Sequence, residues 1–133
     1  MPDEVIRQGG CACGAVRYQI RGQPLRVGLC HCADCRKETG SAFTFYGDWR
    51  PDAFSWSGTI RTFKGRSFCP ECGSHTFNLA EDQIEIRLGS LDGAPGDLVP
   101  TWEGWIKRRE PWVAPVAGAG QYREDVPPIG GPR

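Results

Sequence analysis

Seven cysteines in three tight clusters carry the chemistry this sequence advertises: Cys11-Ala12-Cys13, Cys30-His31-Cys32-Ala33-Asp34-Cys35 and Cys69-Pro70-Glu71-Cys72. An odd number of thiols cannot close into disulfides without a remainder. The start Met1-Pro2-Asp3-Glu4 lacks the basic and then apolar pattern of a secretory signal, so a reducing, cytoplasmic setting is expected. In that setting clustered thiols are more often metal ligands or catalysts than crosslinks. Gly9, Gly10 and Gly14 flank the first cluster and Gly73 follows the last, and glycine allows the tight turns that aim backbone amides at thiolate sulfur.

Structural zinc takes four ligands in a closed tetrahedron, whereas catalytic zinc keeps three protein ligands and one open position. Seven thiols divide as four and three. The CxCxxC of Cys30, Cys32 and Cys35 can clasp one ion locally, leaving Cys11, Cys13, Cys69 and Cys72 to share another. Such a division expects two zinc ions per chain and ties the first strand to the middle of the sequence, so that metal binding contributes to folding. Two other readings compete. A redox dithiol would need a βαβ setting that the chain does not show, and a single four-thiolate zinc would leave three buried thiols spare. His31 and His75 stand close enough to join a site, but a supporting or surface role is the leading reading for each.

A divalent zinc held by three thiolates carries one net negative charge, which makes it a weaker Lewis acid than one held by three neutral histidines. Hydrolysis is therefore not the first expectation. A soft site with a vacancy suits a fourth sulfur, and a small substrate thiol is the natural incoming ligand. Arg36 and Lys37, directly after the third thiol, are candidates to offset the added charge.

These clusters must be positioned by short strands. Val16, Tyr18 and Ile20 alternate with polar residues over 15–20, and Leu25, Val27 and Leu29 repeat the pattern up to Cys30 across the turn Arg21-Gly22-Gln23-Pro24, so a hairpin is expected. Further strands are expected over 41–46, 59–63, 74–79 and 84–88, with single helical turns over 32–40, ended by Gly40, and 48–54. A mainly β fold with little helix follows. With 133 residues the chain is expected to form one domain over 1–125, followed by a flexible tail over 126–133. No apolar run approaches the ~20 residues of a membrane helix. Sixteen basic residues balance sixteen acidic ones, so nucleic acid is disfavoured as a partner; the one basic triplet, Lys107-Arg108-Arg109, lies between Glu103 and Glu110.

Four runs taken together resemble the glutathione-dependent formaldehyde-activating enzyme family, which includes centromere protein V. They are Gly10-Cys11-Ala12-Cys13-Gly14-Ala15-Val16-Arg17-Tyr18, the run from Cys30 to Phe43, Phe68-Cys69-Pro70-Glu71-Cys72-Gly73, and Leu88-Gly89-Ser90-Leu91-Asp92. The resemblance spans roughly residues 5 to 125. It implies an Mss4-like β-sheet fold with zinc knuckles and two zinc ions, one structural on Cys11, Cys13, Cys69 and Cys72 and one catalytic on Cys30, Cys32 and Cys35. The implied activity is that of a carbon-sulfur lyase forming or cleaving S-(hydroxymethyl)glutathione, with glutathione as the thiol and formaldehyde as the aldehyde. One departure stands out: aligned on Trp112, Glu103 occupies the place where family members often carry a histidine, followed by Gly104 and Trp105. A competing expectation is a non-catalytic zinc module that docks a protein partner through Trp102, Trp105 and Trp112.

Overall fold

The computed structural model describes residues 4–129, and the end of the expected tail, 130–133, lies outside the described residues. Among the described residues the chain is mainly β, with eleven strands and one α-helix. It divides into two compact units, the first formed by Met1–Leu25 and Gly47–Asp97, the second by Arg26–Tyr46 and Leu98–Arg133.

In the first unit, β1 (Ile6–Gly10), β2 (Arg17–Arg21) and β5 (Phe54–Ser57) form an antiparallel sheet in the order β1-β2-β5. The alternation read from the sequence sets the faces: Val16, Tyr18 and Ile20 are buried while Arg17 and Gln19 are half-buried on the other side. Two hairpins follow, β6 (Arg61–Phe63) with β7 (Arg66–Phe68) and β8 (Phe77–Leu79) with β9 (Ile84–Arg87). Phe77 is fully buried, and its ring lies 5.9 Å from that of Tyr18, 4.9 Å from Phe54 and 5.3 Å from Trp56. Truncating it empties the centre of an aromatic cluster. Phe77→Ala is expected to cost ~3–5 kcal/mol, read as a lower urea midpoint with an unchanged slope.

The second unit holds β3 (Arg26–Cys30), the helix α1 (Ala33–Thr39), the first half of β4 (Thr44–Trp49), β10 (Trp102–Gly104) and β11 (Gly120–Gln121). Its strands run in the order β11-β10-β3-β4, with β10 parallel to both β3 and β11. Parallel pairing sets Gly104 opposite Cys30 and Glu103 opposite Leu29. The last residues of β4, Gly47–Trp49, belong to the first unit, where the strand order is β4-β9-β8.

Several expectations are corrected. The runs ending at Ile20 and starting at Leu25 do not form a hairpin, because β1 and β5 occupy both edges of β2, and the Leu25 amide donates to the Asp48 carbonyl instead. The strand expected over 41–46 starts at Thr44, since Gly40 closes α1 in the left-handed region with φ 65° and 41–43 are used in leaving the helix. Of the helical turn expected over 48–54 only the 3-10 turn Pro51–Ala53 forms, Asp48 and Trp49 staying in β4. Leu88 begins a separate 3-10 turn rather than ending β9. Near the other end, Arg26 donates to the Pro127 carbonyl, and Val126 lies over Gly104.

Candidate metal centres

All seven cysteines are free thiols, and their sulfurs gather into two groups, Cys11 with Cys13, Cys69 and Cys72, and Cys30 with Cys32 and Cys35. Within each group the sulfurs lie within 4.8 Å of one another.

In the first unit, the sulfur of Cys13 lies 3.6 Å from that of Cys11 and 3.7 Å from that of Cys69. A tetrahedron with zinc–sulfur bonds of ~2.3 Å has sulfur–sulfur edges of ~3.8 Å, so this spacing fits a four-thiolate ion, for which zinc is the usual choice. Local turns aim donors at the sulfurs. The Val16 amide donates to Cys11 Sγ at 3.2 Å, and the Ser74 hydroxyl lies 3.2 Å from Cys72 Sγ. Gly14 and Gly73 take φ of 82° and 79°, the left-handed conformation each knuckle turn needs. Gly9 and Gly10, by contrast, are extended residues of β1.

These donors and the crowding of four sulfurs split their acidities. Hydrogen bonds from the Ser74 side chain and backbone bring the Cys72 thiol down to about 5. Although the Ala15 amide favours its thiolate, Cys13 is pushed up to about 12 by the neighbouring sulfurs and by desolvation. Desolvation opposes ionisation of Cys11, but the Val16 amide and the thiols of Cys13 and Cys69 outweigh it and lower its pKa.

The second group sits where β3 runs into α1. Cys32 caps the helix, its sulfur accepting the Cys35 amide at 3.3 Å. The hydrogen bond with Cys35 and burial push the Cys30 thiol well above its ordinary range. Cys30 and Cys32 are half-buried and Cys35 is buried. Among the described residues no histidine or carboxylate joins these three sulfurs. The set is three soft donors that could hold one metal ion and leave a position for a further ligand.

His31, between two of the thiols, is fully buried, and its Nε2 lies 2.9 Å from Glu103 Oε1. Desolvation raises the Glu103 pKa, but hydrogen bonds from the Gln121 side chain, the Val116 amide and His31, with the nearby charge of Arg109, outweigh it and hold the group below the usual carboxylate range. As a carboxylate it can only accept, so His31 carries its proton on Nε2, and Nδ1 is buried without a hydrogen-bond partner. The Glu103–His31 pair thus fixes the residue that separates Cys30 from Cys32. Position 103 could be noticed in the sequence as a departure, but its burial could not, because a glutamate within a three-residue strand has no apolar signature.

Removing that carboxylate strands its donors. Glu103→Leu is expected to lose ~3–5 kcal/mol, measured by urea unfolding, with a smaller loss in Glu103→Gln. Because the folded pKa lies below the ordinary value of ~4.3, the contribution is fully present above that value and disappears as pH falls through the lower folded one.

The remaining sequence candidates separate clearly. Trp102 stacks on Tyr122 at 5.2 Å with Arg26 over its face, and the Trp105 indole donates to Asp125 at 2.6 Å; Trp112 is 76% exposed. In the basic triplet, Lys107 pairs with Glu124 at 3.0 Å and Arg109 lies 3.5 Å from Glu103, whereas the exposed Arg108 side chain keeps no partner among the described residues. His75 is a member of neither sulfur group, and its ring lies 5.8 Å from that of Phe68. The run from Leu88 to Asp92 serves the first unit's sheet: the Tyr18 hydroxyl lies 2.6 Å from that of Ser90, and Asp92 pairs with Arg17.

A mainly β chain whose paired knuckles gather four thiols, with three more at a strand-to-helix junction, has an Mss4-like fold. The model of the glutathione-dependent formaldehyde-activating enzyme family matches residues 6–108, and the chain belongs to that family. Among solved structures, a Rhodobacter sphaeroides protein is similar in fold, with a TM-score of 0.52 at 20% identity over 65% of this chain and 89% of that one. No curated protein matches the sequence. No helix among the described residues is long and apolar enough to cross a membrane.

Proposed function

We propose that the protein is a zinc-dependent carbon-sulfur lyase acting on the adduct of a small thiol and an aldehyde, such as S-(hydroxymethyl)glutathione. The observation that carries this reading is the group of three half-buried to buried sulfurs, Cys30, Cys32 and Cys35, at the junction of β3 and α1. Zinc bound there would supply a soft positive charge that favours a substrate thiol in its thiolate form. Cys32 orders the first turn of α1 by accepting the Cys35 amide, and the Glu103–His31 pair holds the segment between Cys30 and Cys32. The four-thiol group of the first unit is assigned a structural role.

In the reaction the sulfur lone pair forms a bond to the carbonyl carbon, the carbonyl π pair moves to oxygen, and the thiol proton ends on that oxygen. Cleavage runs the same steps backwards. No oxidant or reductant is consumed. Glutathione and formaldehyde combine without a catalyst, so the test is the exchange rate at equilibrium. Magnetisation exchange between free and hydroxymethylated glutathione should speed up in proportion to added zinc-loaded protein. An unchanged exchange rate would contradict the reading.

The protein-docking alternative gains little support. Trp102 and Trp105 are committed to contacts inside the second unit, which leaves Trp112 as a single exposed anchor.

A further inference from the structure

The two knuckles of the first unit are tied together by a residue that supplies no ligand. Ser74 follows Cys72 and Gly73, and it is half-buried. The Ala12 amide, between Cys11 and Cys13, donates to the Ser74 hydroxyl oxygen at 3.1 Å, and Cys72 Sγ lies 3.2 Å from the same oxygen. Ala12 and Ser74 stand 62 positions apart in the chain. Donor chemistry fixes the direction of both bonds. An amide can only donate, so the hydroxyl accepts from Ala12 and keeps its single proton for sulfur. A cysteine that ligates metal does so as a thiolate, which can only accept. Ser74 therefore donates to Cys72 in the metal-bound form. Its backbone serves the same knuckle, the Ser74 carbonyl accepting the Cys69 amide at 2.9 Å.

Burial divides the four sulfurs into pairs. Cys11 and Cys69 are buried whereas Cys13 and Cys72 are exposed, so a proton or an electrophile reaches the exposed two first. A divalent ion held by four thiolates leaves two net negative charges on the site, and donors aimed at a sulfur spread that charge and make the thiolate a weaker nucleophile. The Ser74 hydroxyl and the amides of Ser74 and Cys13 all converge on Cys72. Of these three donors only the hydroxyl belongs to a side chain. We infer that Ser74 is a positioning residue of the four-thiol site: its hydroxyl latches the Ala12 turn to Cys72 and quiets that exposed sulfur, so that the open edge of the site keeps its metal. The inference concerns the first unit alone and is independent of the lyase reading.

The test uses the full chain loaded with zinc and a limiting amount of N-ethylmaleimide, with the modification of each cysteine followed by mass spectrometry of its peptide. Ser74→Ala should speed modification of Cys72 relative to Cys13 by roughly threefold or more. It should also weaken the tighter zinc by about tenfold or more in competition with a chelator. Ser74→Thr keeps the hydroxyl and should stay near the wild type on both counts. Ser74→Val, isosteric with threonine but without the hydroxyl, should behave as Ser74→Ala does. The Ala12 amide is exposed, so water replaces its lost acceptor and near-UV dichroism should show the variants folded. Equal acceleration at Cys13 and Cys72 would mean a general loosening and would overturn the inference. So would an unchanged zinc affinity in Ser74→Ala, or threonine and valine variants that react alike.

Discussion

Cys32→Ala is expected to lower catalysed thiol–adduct exchange by roughly 10³-fold or more while the protein stays folded and keeps one metal ion. The argument is local. Cys32 supplies one of three sulfurs at the β3–α1 junction, a group that shares no member with the four of the first unit. Its loss also removes the cap that accepts the Cys35 amide, which costs ~1 kcal/mol of helix stability, too little to unfold the chain. Activity and fold are thereby separated by a single atom. Exchange kinetics read the first, and near-UV dichroism with metal content reads the second. A Cys32→Ala protein that exchanges adduct at the wild-type rate would refute the open-site account.

The opposite pattern is expected for Cys69→Ala. Cys69 is fully buried, its sulfur lies 3.7 Å from that of Cys13, and the two residues stand 56 positions apart. Its carbonyl accepts the Gly73 amide at 2.8 Å and its amide donates to the Ser74 carbonyl, so the knuckle and the candidate metal site are built from the same backbone. Structural zinc in small domains couples on the order of 10 kcal/mol of binding free energy to folding, which exceeds what a domain of this size usually has to spare. Cys69→Ala should therefore lose the ion, and the first unit should unfold tens of degrees below the wild type. Chelation of the wild type should reproduce this.

The same site gives a pH dependence of definite sign. With the Cys72 thiol lowered to about 5 and that of Cys13 pushed up to about 12, a metal ion held by both thiolates would have to displace the Cys13 proton at neutral pH. Loading thus releases at least one proton, and affinity should weaken about tenfold per pH unit of acidification for each proton released. Metal-linked stability is largest at high pH and falls as pH drops. Calorimetry in buffers of different ionisation enthalpy counts those protons.

Much of this was legible in the residues because thiol chemistry is written in spacing. The sulfurs gather in the same two groups that the CxC, CxCxxC and CxxC motifs suggest, and Gly14 and Gly73 turn as knuckle glycines must. The alternation of Val16, Tyr18 and Ile20 marked β2 for the same reason: a period of two has one buried face. What escaped has physical causes as well. β1 ends in two glycines and shows no alternation, and β10 is only Trp102–Gly104 with a buried charge at its centre. Its place between β3 and β11 depends on parallel pairings across long stretches of chain, which local pattern does not encode. Glu103 and Arg108 illustrate the limit most clearly. Glu103 shortly precedes the Lys107–Arg109 run and Arg108 stands within it, yet burial makes one the anchor of His31, and exposure beside α1 makes the other a pocket wall.

The division of seven thiols into a closed four and an open three is the claim on which everything else depends, and metal content per chain tests it most directly. Native mass spectrometry of the full chain should give two zinc ions per wild-type molecule and one per Cys32→Ala molecule, with glutathione loosening only the ion that the substitution removes. A wild-type protein that holds a single tight zinc, indifferent to glutathione, would contradict the account.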